Sequence, residues 1–242
     1  MSKNFIVLDV EGYSTCKPYD IGYVVGNKSG EILCGKSFAL MPAVWDNIQY
    51  KIKTMNVEGL APAHEMAHKN IKEILCTDNE KYNKLFDNHK FFGEFLTDIT
   101  KYDIKRVWAY NCTFDKGALT RLFTEEQNTI VNNLVTFCDI IPAILYTKLL
   151  NKEYIEWCKA NGYLTAKGNV QTKAEVVYRY LTGNDNFVEE HTGLADCKIE
   201  YEILLNAMKE TKSPKRTPCQ AWKIIQQFCE CEGIDIPALD NK

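Results

Sequence analysis

The chain has 242 residues, 45% hydrophobic and 25% charged, which suits one large soluble globular domain or a domain with a small appendage. Its net charge of −3 excludes the strongly basic field on which a pure nucleic-acid-binding module depends, but not an enzyme that reaches phosphate through metal ions. No apolar stretch is long enough to cross a bilayer, and the N-terminal "MSKNFIVLDVEG" is too short and too acidic for a signal peptide. Ten cysteines are scattered, with Cys16, Cys34, Cys112, Cys138 and Cys197 within or beside apolar runs, so they read as reduced thiols in a cytoplasmic protein. Cys229 and Cys231 lack a matching second pair and do not make a zinc site.

Residues 4–10 form the first predicted strand. "YDIGYVV" (19–25) and "EILCGKSFAL" (31–40) flank the turn "GNKSG" and predict an antiparallel meander with it. From 43 to 100 the texture is polar and helical, a helical insertion in which "NIKEIL" and "KFFGEFLTDI" carry apolar residues at helical spacing. "KRVWAY" (105–110) reads as a strand, followed by the helix "TFDKGALTRLF" with Thr113 as its N-cap. "NLVTFCD" (133–139) is the fifth strand, and "IIPAILYTKLL" the helix after it. Two further helices are expected: "TKAEVVYRYLTG", stopped by Gly183, and 192–208 with Leu194, Ile199, Ile203 and Leu204 inward. Residues 209–218 read as a polar, proline-bearing linker before a terminal helix at 219–233. The expectation is an α/β domain over 1–208, a mixed five-stranded sheet flanked by helices, with 209–242 as linker and terminal helix.

Chemistry concentrates in three places. Asp9 and Glu11 end the first strand two residues apart, hence on one face. Asp115 opens the helix after the fourth strand, and Asp196 lies early in an apolar helix with His191 five residues before it. Strand ends and following helix starts converge on one edge of such a sheet, so four carboxylates would meet there and repel unless cations neutralise them. Hard divalent ions with oxygen ligands, two Mg²⁺ or Mn²⁺, are the natural partners, and such a pair brackets a phosphodiester. An imidazole titrates near neutrality and suits a general base.

With these residues in view, the sequence resembles the DEDDh, or DnaQ-like, 3′-5′ exonuclease family over roughly residues 4–208. "LDVEG" matches the family's Asp-x-Glu motif; Asn111, Phe114 and Asp115 match its Asn-x-x-Phe-Asp motif; His191 and Asp196 in "HTGLADC" match the third. The resemblance implies an RNase H-like fold and metal-dependent release of nucleoside 5′-monophosphates from a single-stranded 3′ end. It implies that Asp9, Glu11 and Asp196 hold the inner ion, that Asp9 and Asp115 hold the second, and that His191 is the general base. Gly12, Tyr13, Asn111 and Phe114 are the implied substrate contacts, although Gly12-Tyr13-Ser14 replaces the family's Thr-Thr-Gly and Gly193 its usual Ala. Thr192 stands where the sister branch has Tyr.

Rival readings are a non-catalytic nucleic-acid-binding module on the same fold, and a zinc metalloprotease through "HEMAH", with His64 and His68 as ligands and Glu65 as base. The five acid and base positions argue against the first, and the lack of a third ligand in recognisable context against the second. The linker lysines Lys209, Lys212 and Lys215 with Arg216 suit a solvated charge run better than a backbone-tracking patch. A homodimer, or a replication or RNA-processing partner, stays open, as does the choice between DNA and RNA.

Overall fold

A computed structural model describes residues 3–12, 18–40 and 88–235. The HEMAH segment, Tyr13, and residues 43–87 of the expected insertion lie outside the described residues. Five strands, β1 (Asn4–Gly12), β2 (Pro18–Asn27), β3 (Ile32–Ala39), β4 (Arg106–Ala109) and β5 (Thr136–Asp139), form one sheet in the order β3-β2-β1-β4-β5. The meander β1-β2-β3 is antiparallel, while β4 runs parallel to β1 and β5 parallel to β4. The mixed, helix-flanked α/β sheet expected from the sequence is present.

Alternation along β1 and β2 divides the interior into two layers. Ile6, Leu8, Val10, Ile21, Tyr23 and Val25 face α1 (Asn88–Lys101), α2 (Cys112–Leu122) and α3 (Glu125–Leu134). Phe5, Val7, Val24 and Trp108 face the other layer. That layer contains α4 (Ile140–Ile144, continued by a π-helical turn Leu145–Leu149), α5 (Lys152–Ala160), α6 (Ala174–Thr182), α7 (Gly193–Glu210) and α8 (Ala221–Glu232).

Two stretches assigned to appendages pack as core. Phe91, Phe95 and Ile99 of α1 are buried against the sheet, and buried Asp98 accepts a 2.7 Å bond from the Tyr23 hydroxyl and pairs with Lys36 at 2.6 Å. Ala221, Ile225 and Cys229 of α8 belong to the second layer's core. The eight described cysteines are free, five of them buried outright. Among the described residues no helix is long and apolar enough to cross a membrane.

Three local expectations need correction. Helix α2 begins at Cys112, so Thr113 lies inside it and is not its N-cap; Asn111 takes that place in the left-handed region at φ 62, without a side-chain bond to the helix. The carboxylate of Asp139, at the end of β5, caps the turn from a distance by accepting the Asn111 amide at 3.2 Å. Helices α3 and α5 were not foreseen. In α3 only Val131 is fully buried, too little for a periodic signal, although Thr124 and Gln127 form a capping box. Because α3 runs to Leu134, β5 starts later than the sequence suggested.

Candidate active site

The row Phe5, Val7, Asp9, Glu11 shares one face of β1, so the acidic pair continues an apolar row that α7 covers. Antiparallel register sets Asp9 opposite Gly22 and Glu11 opposite Asp20. The start of α7 descends onto this corner. A Cβ on Gly22 would lie 2.1 Å from the Gly193 carbonyl carbon, and one on Gly193 would lie 2.5 Å from the Gly22 nitrogen and 3.2 Å from the Asp9 carbonyl oxygen. Only paired glycines permit that crossing. The Gly193 amide donates to buried Asp20 at 3.0 Å, and the Cys197 thiol to the Gly22 carbonyl at 3.1 Å. Helix α7 is thereby docked with Asp196 and Glu200, one turn apart, both buried near the end of β1.

Asp115 arrives by another route. Strand β4 pairs with β1 at Ile6–Val107 and Val7–Trp108, so the Val10 amide lies past that short ladder. Buried Asp115 accepts it at 3.0 Å, which fixes the first turn of α2 to the end of β1.

The carboxylates are thus within electrostatic reach of one another. Burial, followed by the charges of Glu200, Glu11, Asp115 and Asp196, pushes the Asp9 carboxyl well above its ordinary range. Burial likewise raises Asp115 well above its usual value, against the bonds it accepts from backbone amides. Asp196 is pushed up to about 10, by burial and then by Glu189 and Glu11, with which it shares a hydrogen bond. Burial raises Glu11 too, opposed by the charge of His191 and by that shared bond. Glu11, His191 and Asp196 each place a ligand atom within 4.8 Å of the other two.

Among the described residues, Asp9 Oδ2 and Asp196 Oδ1 are buried carboxylate oxygens without a hydrogen-bond partner. Buried acceptors left bare are costly. An all-oxygen carboxylate set with bare acceptors and raised proton affinity fits a hard divalent cation, whose charge would displace the protons.

His191 has φ 54, a conformation that non-glycine side chains rarely adopt and that concentrates at functional positions. Its Nδ1 lies 3.8 Å from Glu189 Oε2. His191, Glu189, Tyr110 and Asn111 line a cleft of about 810 Å³. Gly12 is half-buried at an irregularity in the β1–β2 register, and Phe114 is half-buried in the first turn of α2.

Four carboxylates here escaped the sequence reading. Glu200 accepts the Tyr110 amide at 3.3 Å, and burial raises it well above the usual range, with Asp115 and Asp196 adding to the shift. Asp20, fully buried, is raised to about 7 by burial, with the bonds from Gly193 and Ser37 opposing. Glu189 is raised by burial, with His191 opposing. Asp139 is raised by burial and serves as the distant cap of α2. Glu200 leaves a trace in the sequence, an acid amid Ile199, Ile203 and Leu204, and Asp20 leaves another through its register with Glu11.

No family model matches the chain, and no curated protein does.

Proposed function

We propose that the chain is a metal-dependent 3′-5′ exonuclease of the DEDDh type, with an RNase H-like fold, releasing nucleoside 5′-monophosphates from single-stranded DNA or RNA. The observation that carries this reading is the gathering of Asp9, Glu11, Asp115 and Asp196 at one end of β1 with bare buried oxygens on Asp9 and Asp196 and His191 beside them. The strand order, with an antiparallel meander followed by two parallel strands, supports the same fold reading.

Asp9, Glu11, Asp115 and Asp196 would hold two Mg²⁺ or Mn²⁺ ions. When bound, such ions neutralise the carboxylates, polarise the phosphodiester and lower the pKa of water. The imidazole of His191 accepts the proton of the attacking water, and Glu189, 3.8 Å from its Nδ1, stabilises the cation that forms. Asp115 is positioned by the Val10 amide, which donates to its Oδ1 and so sets the direction of the carboxylate at the site. Asp20 secures the helix start that presents Asp196. His191, the residue assigned here as the base, lines the cleft.

Incubating 3′-labelled and 5′-labelled oligonucleotides of DNA and RNA with Mg²⁺, Mn²⁺ or EDTA tests the reading. Shortening from the 3′ end that stops with EDTA, and is absent in Asp9→Asn, is expected. Cleavage that ignores EDTA, or that survives Asp9→Asn, overturns it.

A further inference from the structure

We propose that the cleft beside His191 is the binding channel for the last nucleotides of a single-stranded nucleic acid, with Trp222 of α8 as a base-stacking platform and Lys167 and Lys173 as phosphate contacts. The proposal deepens the exonuclease reading and rests on it for the class of ligand. The cleft's volume of about 810 Å³ lies within the range of roughly 300–1,000 Å³ typical of sites that enclose a small ligand. Its described lining includes two cationic side chains, Lys167 and Lys173, and one acid, Glu189. A polyanion entering a carboxylate-rich centre needs such a counterweight, since phosphate contacts from lysine dominate nucleic-acid affinity.

Trp222 is the second observation. Its neighbours Ala221 and Ile225 are buried in the core, yet the indole is 45% exposed and lines the cleft. Stacking on an aromatic face binds bases of any sequence, and Lys223, 5.3 Å from the ring centroid, adds positive charge beside it.

The part of the cleft lined by residues 165–174 is held in place by hydrogen bonds. Leu164 and Val170 bridge a tight hairpin whose turn carries Lys167, with Gly168 at φ 78 and its amide bonded to the Thr165 carbonyl at 2.8 Å. The Tyr110 and Tyr154 hydroxyls donate to the Thr172 and Gln171 carbonyls at 2.6 Å each, pinning the strand that leaves the turn. Tyr110 also offers its amide to Glu200, so the wall is tied to the carboxylate cluster.

Anisotropy of labelled oligothymidylate and oligouridylate, measured with EDTA on the wild-type chain and with Mg²⁺ on Asp9→Asn, tests the channel. Trp222→Ala is expected to weaken binding about 5- to 150-fold, with most of the loss recovered in Trp222→Phe. Lys167→Ala with Lys173→Ala is expected to flatten the salt dependence by roughly 0.7 in log–log slope for each lysine. Near-UV circular dichroism checks that each variant is folded. In turnover, Trp222→Ala should raise KM and leave kcat unchanged. Unaltered affinity in Trp222→Ala, or an unaltered salt slope in the double lysine variant, overturns the channel even if the chain degrades oligonucleotides. Binding that depends on Trp222 in a chain that cleaves nothing upholds the channel while the exonuclease reading falls. Failure of both oligomers to bind either the wild-type chain in EDTA or Asp9→Asn in Mg²⁺ overturns the channel.

Discussion

Asp9 and Asp196 illustrate why single carboxylates here count for more than their position in an element suggests. Each has one buried oxygen without a partner, and each holds its proton far above the ordinary range, so the metal-free site stores unfavourable electrostatics. An Asn side chain keeps the shape and mimics the neutral acid. Asp9→Asn and Asp196→Asn are therefore expected to leave the melting temperature of the metal-free protein unchanged or raised, and to abolish the rise that Mg²⁺ causes in the wild type. Differential scanning fluorimetry with and without Mg²⁺ reads both effects, and a large drop without metal would mean that these carboxyls are structural. His191→Ala is expected to lower the rate by about 10²–10⁴ with little loss of oligonucleotide binding. An unchanged rate at neutral pH would remove the imidazole from the mechanism.

Among the elements, the junction of α7 with β1 and β2 decides whether a site exists at all. At Gly193 an added methyl meets backbone 2.5 Å away, which no rotamer change relieves. Gly193→Ala should cost about 1–3 kcal/mol in urea denaturation and, by lifting Asp196 off β1, should reduce activity more than the loss of folded protein accounts for. Gly93, in the interior of α1, gives the opposite expectation, because an added methyl there meets nothing within 4 Å. Gly93→Ala should stabilise by roughly 0.5–1 kcal/mol and leave activity untouched. The contrast also bears on a departure from the resembled family. Glycine where that family usually has Ala looks like a minor change in the sequence, and the close crossing with Gly22 supplies its physical reason.

For the molecule as a whole, the raised carboxyls set a pH dependence of definite sign. Asp20 titrates at about 7 and Asp196 at about 10 in the folded chain, against about 3.9 for an unfolded Asp. Between those values the folded state binds more protons than the unfolded one, so stability falls as pH rises from about 4, through about 7 for Asp20 and on towards about 10 for Asp196. In EDTA the melting temperature is expected to decline from about pH 5 to about pH 8. Mg²⁺ or Mn²⁺ should stabilise more at the higher pH, because binding displaces protons that are already leaving. A metal-free melting temperature that climbs over this range would show that the carboxyls are ionised in the fold and that the cluster does not hold its protons.

The sequence by itself determined the five strands, most of the helices that pack on them, and the acids that lie at strand ends and helix starts. Those features depend on local period and on the abrupt arrival of charge in an apolar run, as at Asp9 after "NFIVL". Only the tertiary structure decided that Glu200 lies within electrostatic reach of Asp9, that Asp20 and Glu189 lie within reach of Glu11 and Asp139 of Asp115, and that the terminal helix brings Trp222 to the cleft that His191 also lines. A carboxylate's proton affinity follows from what is packed above it and how much water remains. Those contacts come from segments as far apart as Gly22 and Gly193, whose closeness no local pattern records.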